Sequence, residues 1–140
     1  MPYQSKVWQR DWPILIQNVV TACEKANAKL IFFDNAYMYS QPLAVPFTET
    51  HAQNPGTKKG LARKQTADLL LKAIAEKRIE AVIGRSADFY GEQAVNSPFY
   101  ISFLQNMLKG KAAQVLGKKD ITHSYANTGD NGKALVALAL

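Results

Sequence analysis

The chain has 140 residues, of which 47% are hydrophobic and 20% are charged. This composition is near the globular average, so it excludes an intrinsically disordered chain and provides enough apolar residues for a core. The net charge of +6 comes from scattered basic residues without a nucleic-acid-binding motif, and we therefore expect no nucleic-acid partner. The single cysteine, Cys23, excludes an internal disulfide, and two distant histidines exclude a structural zinc site.

No segment of the sequence is typical of a membrane protein. The first ten residues lack the apolar stretch of a signal peptide, and the longest late apolar run, ALVALAL, is too short to cross a bilayer. We therefore expect a cytoplasmic protein without a membrane partner.

The first predicted element is a helix that begins at Asp11, with Asp11 as its cap and Pro13 in its first turn. Asn27 is predicted to end this helix in a left-handed conformation. The continuous apolar run from Leu30 to Phe33 then predicts a strand that is buried on both faces.

A loop, a second helix and a second strand follow. The stretch from Ser40 to Gly56 is rich in proline and has no helical period, which predicts a long loop. A helix is predicted from about Thr57 to Lys77, and a buried strand from Ala81 to Ile83. This alternation of helices and strands is typical of parallel βαβ units and predicts an α/β fold.

The pattern changes after Gly91. Ser97 and Pro98 predict the start of a helix that Gly110 ends. The remaining predicted elements are two short strands, around Gln114 to Leu116 and around Ser124-Tyr125, and a last helix capped by Asp130.

The sequence therefore predicts two parts. Residues 1–91 are interpreted as the later half of a Rossmann-like domain with a partial parallel sheet, and residues 92–140 as a small carboxy-terminal substrate-binding or lid subdomain. Both ends look cut, because two strands are few for a parallel sheet and no residue caps the last helix at Leu140.

Polar residues follow the first predicted strand, since Asp34 and Asn35 stand at its carboxyl end, where open α/β sheets bind ligands. From here the sequence resembles the nucleotide-sugar epimerases and dehydratases of the extended short-chain dehydrogenase/reductase superfamily. That family has a strand ending in Ser/Thr, a Tyr-Gly, an acidic loop residue, a Tyr-x-x-x-Lys helix and an Arg-Pro-x-Asn-x-Tyr-Gly segment. The matching pieces of this chain are Asn35, Tyr39-Ser40, Glu49, Lys59 to Arg63, Arg85 to Gly91, Leu108 to Lys111 and Gly129-Asp130.

Two departures from the family pattern bear on activity. Lys59 stands where the resemblance places the tyrosine, and Arg63 stands where it places the lysine that lowers the pKa of that tyrosine. None of the six tyrosines has a lysine four residues later. The sequence also contains no Gly-rich turn that could hold a pyrophosphate, so NAD or NADP binding to this chain alone is predicted to be weak or absent.

The resemblance implies roles for nine residues, and no metal ligand. The positions of the family's catalytic residues are Asn35, Lys59 and Arg63. The cofactor-binding positions are these three together with Arg85 and Ser86, and the substrate-binding positions are Tyr37, Asp88, Tyr90 and His123. Lys59 and Arg63, one helical turn apart, are interpreted as an anion clamp or as an exposed basic helix start. Structural roles remain open for Asn35, Asp88, Tyr90 and His123.

The functional prediction is an NAD(P)-dependent epimerase/dehydratase-like protein that acts on a nucleotide sugar or a related carbonyl or hydroxyl compound and is inactive as this isolated chain. The alternative is a non-catalytic, dinucleotide-binding regulatory relative. A homo-oligomer, or association with a missing amino-terminal half, is expected because a partial sheet leaves an unpaired strand edge.

Overall fold

The computed structural model describes residues 7–115, 117–118 and 120–140. The chain forms two compact units, one up to Gly84 and the other from Arg85 to Leu140. The boundary between these units lies within a strand that ends at Arg85.

The first unit contains α1 (Trp8–Ala26), β1 (Leu30–Asp34), α2 (Lys58–Ala75) and β2 (Ala81–Arg85), whose last residue lies across the boundary. The two strands pair in one sheet, and α2 connects them. The order of elements confirms the predicted α/β class with small parallel sheets. The core of this unit joins both helices to β1 and to the residue Ile79 that precedes β2. Its buried members are Ile16, Val20, Phe32, Leu70, Ala73 and Ile79.

Helix α1 differs from the prediction at its start and agrees with it at its end. It begins at Trp8 rather than at Asp11, so Pro13 lies inside the helix. The side chain of Asp11 bonds to Arg10 Nε (2.6 Å) instead of capping the helix, and the rings of Trp8 and Trp12 pack edge to face one turn apart. Asn27 ends the helix with a φ of 49°, which confirms the predicted left-handed stop.

Helix α2 begins where the sequence predicts it. Thr57 Oγ1 accepts the backbone N–H of Gly60 (3.0 Å), which satisfies one of the free donors of the first turn. A stripe of residues three or four positions apart is buried along the helix. Its members are Ala62, Arg63, Thr66, Ala67, Leu70 and Ala73.

The second unit contains β3 (Asp88–Tyr90), a π-helical segment (Phe99–Leu104) that continues as α3 (Gln105–Leu108), β4 (Tyr125–Asn127) and α4 (Thr128–Ala139). Strands β3 and β4 pair in parallel, with Asp88 opposite Tyr125 and Tyr90 opposite Asn127.

Two predictions for this unit are wrong. Gln114 and Val115 form no strand, because the backbone N–H of Gln114 bonds to Ser102 O (2.9 Å) in the preceding helical segment, and Leu116 lies outside the described residues. Asn127, not Asp130, caps α4, since Asn127 Oδ1 accepts the N–H groups of Gly129 (2.9 Å) and Asp130 (3.3 Å). The predicted helix start is confirmed by Ser97 Oγ, which accepts the N–H of Tyr100 (3.1 Å).

The two units differ in how much apolar surface they bury. All buried hydrophobic residues of the described chain lie between Ile16 and Ile79. In the second unit the buried residues among those described are Ser86 and Ser97. Within the described ranges, no helix has the length and apolar character needed to cross a membrane.

Candidate functional site

The turn after β1 presents the side chain of Asn35. Its backbone N–H donates to Asp34 Oδ1 (2.8 Å), and its own side-chain oxygen accepts the N–H of Tyr37 (3.0 Å). This is the local bonding by which Asn closes a tight turn. Because the amide oxygen is engaged, the two N–H donors of the Asn35 side chain are the groups it can offer to a ligand. The side chain of Tyr37 is exposed beside it.

Asp34 and Arg63 form a buried ion pair between the end of β1 and the first turns of α2. Asp34 Oδ1 accepts from Arg63 Nε (2.8 Å) and also from an Arg63 terminal nitrogen, and both side chains are almost completely buried. The guanidinium group lies over the ring of Trp12, with 4.1 Å from Cζ to the ring centroid. Asp34 Oδ2 is buried without a hydrogen-bond partner among the described residues.

The side chains of Lys59 and Arg63 therefore diverge although the residues are one helical turn apart. Arg63 is not part of an exposed basic helix start, because it belongs to the buried stripe of α2. Lys59 is exposed, and its Nζ lies 6.0 Å from the centroid of the Trp8 ring. Of the two cations in the predicted clamp, only Lys59 is presented to solvent.

Gly60 brings the first turn of α2 against the turn after β1. A Cβ atom at this position would lie 2.5 Å from Tyr37 O and 2.5 Å from Pro55 Cβ, distances that no side chain tolerates. Glycine is therefore required here by the close approach of the two backbones. Lys59, which precedes Gly60 in the chain, therefore stands near the turn of Asn35 to Tyr37.

Arg85 and Ser86 follow at the end of β2. Arg85 is half-buried, and the hydroxyl of Ser86, which is buried, donates to Asn131 Oδ1 of α4 (3.3 Å). The Ser86 hydroxyl is thus engaged within the second unit.

Asp88 and His123, both predicted to contact substrate, are brought together by the pairing of β3 with β4. His123 Nε2 lies 3.0 Å from Asp88 Oδ2, and the His123 ring lies 4.7 Å from the Tyr125 ring. Tyr90 is exposed on the same strand as Asp88, two positions later and so on the same face.

Two surface carboxylates away from these groups have a lowered pKa. The hydrogen bond from Arg78 lowers the pKa of Glu24, and the hydrogen bond from Arg10 lowers the pKa of Asp11. Glu24 is near the end of α1 and Arg78 precedes β2, so their pair lies at the amino end of the strands, opposite to Asp34 and Asn35.

The residues present fit part of a dinucleotide site. The N–H groups of Asn35 and the ammonium group of Lys59 are donors for hydroxyl or phosphate oxygens. The Arg63 guanidinium is already bound to Asp34, and the sequence has no Gly-rich turn for a pyrophosphate. The described chain therefore holds donors for one portion of such a ligand.

The fold and the order of its strand-end residues define an α/β protein of the Rossmann type. The sequence profile of the NAD dependent epimerase/dehydratase family matches residues 5–139. The chain belongs to this family, which confirms the resemblance stated above.

Solved structures with the same fold are nucleotide-sugar enzymes. The UDP-N-acetylglucosamine 4-epimerase from Methanobrevibacter ruminantium M1, in complex with UDP-N-acetylmuramic acid, aligns with a TM-score of 0.77 and 19% identity over 89% of this chain and 42% of its own. The enzyme WbmG from Bordetella bronchiseptica, in complex with NAD and UDP, aligns with a TM-score of 0.75 and 21% identity over 100% of this chain and 44% of its own.

A dTDP-glucose 4,6-dehydratase, DesIV from Streptomyces venezuelae with NAD and TYD bound, aligns with a TM-score of 0.74 and 16% identity over 89% of this chain and 39% of its own. This chain thus spans about two fifths of the length of the structures that it matches. A search of the curated proteins gives no match.

Two residues of these clusters were missing from the sequence-based site. Asp34 was recognised as polar at the strand end, but no partner was assigned to it, because Arg63 lies 29 positions later. A signal for the burial of Arg63 was present, since it stands three and four residues before the apolar-face positions Thr66 and Ala67. Tyr125 was placed in a strand, but its contact with His123 depends on backbone geometry that the sequence pattern does not contain.

Proposed function

We propose that this chain is the substrate-side portion of an NAD(P)-linked epimerase/dehydratase-like protein, and that on its own it binds a nucleotide sugar with negligible turnover. The observation that carries this proposal is the ion pair of Arg63 with buried Asp34. In the family pattern a lysine at this position lowers the pKa of a tyrosine one turn earlier. Here that tyrosine is replaced by Lys59, and the basic group serves a carboxylate instead.

The presence of Lys59 at the position of the family's tyrosine favours a second candidate function. A chain that keeps ligand donors and lacks the proton-transferring tyrosine is suited to sense a dinucleotide rather than to convert a substrate. The alternative is therefore a non-catalytic, dinucleotide-binding regulatory relative.

For the cofactor, we propose NAD or NADP, bound weakly by this chain alone. Asn35 and Lys59 would donate to ribose or phosphate oxygens, while Arg63 holds the end of β1 in place through Asp34. Arg85 and Ser86 remain proposed contacts because they stand at the carboxyl end of the second strand, as Asn35 stands at that of the first.

For the substrate, we propose a nucleotide sugar, and the residues proposed to contact it are Tyr37, Asp88, Tyr90 and His123. The exposed side chains of Tyr37 and Tyr90 support this role. The protein is proposed to be cytoplasmic, and to act as a homo-oligomer or together with an amino-terminal half. Light scattering after size exclusion tests the association, since a monomeric mass at all concentrations would contradict it.

The binding experiment compares Lys59→Ala with Lys58→Ala. Both side chains are exposed and adjacent in α2, so the two variants lose the same charge. Calorimetric titration with UDP and with NADH should show weaker binding only for Lys59→Ala, by about tenfold or more for one charge-assisted hydrogen bond. Equal affinities in the two variants would overturn the role of Lys59.

Turnover is measured separately on the unmodified chain. We expect no NAD(P)H-linked conversion of UDP-glucose above the rate of a blank. A rate typical of enzymes would contradict the proposed inactivity and would require another acid/base group.

A further inference from the structure

Asp88, His123 and Tyr125 form a continuous cluster on the paired strands of the second unit. The parallel register places Asp88 opposite Tyr125, and His123 precedes Tyr125 by two positions. His123 bonds to Asp88 (3.0 Å) and packs on Tyr125 (4.7 Å between ring centroids), while Tyr125 packs on Phe99 (5.1 Å). The imidazole therefore contacts both the Asp88 carboxylate and the Tyr125 ring.

The cluster is accessible to a ligand. The exposed fractions are 31% for the Asp88 side chain, 52% for the His123 side chain and 43% for Tyr125. Among residues 7–115, 117–118 and 120–140, the Asp88 carboxylate bonds to His123 alone, so Oδ1 keeps its acceptor capacity. No lysine or arginine of these residues forms an ion pair with Asp88.

A carboxylate beside an aromatic ring is suited to a sugar. Its oxygen accepts hydrogen bonds from sugar hydroxyl groups, and bonds to an ionised acceptor are roughly twice as strong as neutral ones. The Tyr125 ring offers an apolar surface to the C–H groups of a sugar ring. A ligand that carries its own carboxylate at this place meets repulsion, since like charges in contact disfavour the complex.

The family motif quoted above has asparagine where this chain has Asp88. Asparagine is neutral and offers both a donor and an acceptor. Aspartate adds a charge and removes the donor. This replacement changes the ligand chemistry of the position while it preserves its size.

We propose that Asp88 is a specificity-determining residue, held by His123 beside Tyr125, that admits a neutral sugar ring and rejects a uronic acid. The proposal rests on the proposed function, because it concerns the sugar of the nucleotide-sugar ligand.

The test uses two ligands that differ only at the sugar, UDP-glucose with a hydroxymethyl group and UDP-glucuronic acid with a carboxylate. For the unmodified chain, we expect calorimetric or NMR titration to give about tenfold tighter binding of UDP-glucose. Asp88→Asn should reduce this preference to about twofold or less, while the affinity for UDP alone stays unchanged. A merely structural role of Asp88 would lower the affinities for all three ligands together.

Asp130→Asn is the matched control. It removes the same charge from the same unit, and the Asp130 side chain is exposed and contacts Lys133 instead of the cluster. This variant should keep the tenfold preference, and loss of the preference here would overturn a local role for Asp88. Equal binding of the two nucleotide sugars by the unmodified chain would overturn the proposal as well.

Binding of free glucose and free glucuronate, which lack the nucleotide, distinguishes failure of the sugar subsite from failure of the proposed function. Saturation-transfer NMR should detect glucose on the unmodified chain and lose it in Tyr125→Leu, while Tyr125→Phe keeps it. If the nucleotides do not bind but this sugar pattern is found, the proposed function fails and the sugar subsite stands. If the nucleotides bind without regard to Asp88, the subsite fails and the proposed function stands.

Discussion

The two units each contain an aspartate on a strand that is paired with a basic side chain, and the two pairs differ in their exposure to solvent. Asp34 and Arg63 are enclosed by the core of the first unit, with Trp12 over the guanidinium group. Asp88 and His123 are open to solvent on the strands of the second unit.

This difference separates stability from recognition. Both members of a buried ion pair have lost their hydration, so removal of one member leaves an uncompensated charge and destabilises the fold. An exposed pair contributes little to stability, since water screens it, but its atoms remain available to a ligand. The same residue type can therefore serve the fold in one unit and a ligand in the other.

The largest expected effect is the loss of the buried cation. Arg63→Met should lower the free energy of unfolding by about 3–5 kcal/mol, because Asp34 then remains buried without a counter-ion. Lys59→Met, one turn earlier on the same helix, should leave it within about 0.5 kcal/mol, because Lys59 is exposed. Urea unfolding of both variants provides the measurement. Equal stabilities would mean that Arg63 is not part of the core.

The second prediction compares apolar packing in the two units. Leu70→Ala removes a fully buried side chain and should cost about 2–5 kcal/mol. Leu104→Ala removes a partly exposed side chain of the second unit and should cost about 1 kcal/mol or less. Thermal unfolding of the two variants decides the matter, and a larger loss for Leu104→Ala would reverse the assignment of the core.

A smaller effect is expected at the contact between α2 and the turn after β1. Gly60→Ala places a Cβ atom against Tyr37 O and Pro55, two neighbours that cannot rotate away, and should cost about 1–3 kcal/mol. Gly56→Ala has open space around the new methyl group and should cost almost nothing. Denaturant midpoints of this pair test the close approach, and identical midpoints would contradict it.

The smallest effect concerns the exposed pair of Glu24 and Arg78. The hydrogen bond from Arg78 lowers the pKa of Glu24 below its ordinary value of 4.5. The stabilisation is therefore present above that value and is lost as the pH falls through the lowered pKa. Because the pair is solvated, Glu24→Gln should barely change the melting temperature at pH 7, and the difference should vanish in acid. A difference that grows in acid would contradict this sign.

The sequence was sufficient where a local signal sets the structure. Thr57 and Asn27 mark helix ends through bonds within four residues, and both predictions were confirmed. Contacts between segments that are distant in the chain could not be predicted from the sequence. The pairing of β3 with β4 joins Asp88 to Tyr125, 37 positions apart, and three-residue strands have no hydrophobic period to reveal them. The ion pair of Arg63 with Asp34 could not be predicted for the same reason, because it depends on which segment packs against α2.

The most direct test compares Asp34→Asn with Asp88→Asn, two isosteric changes that each remove one carboxylate charge. Urea unfolding and titration with UDP-glucose and UDP-glucuronic acid are carried out on both variants. We expect Asp34→Asn to lose about 3–5 kcal/mol of stability while its folded fraction keeps the preference for UDP-glucose. We expect Asp88→Asn to keep its stability and lose that preference. A destabilised Asp88→Asn that retains the preference, beside an Asp34→Asn as stable as the parent, would contradict the assignment of one pair to the fold and the other to the ligand.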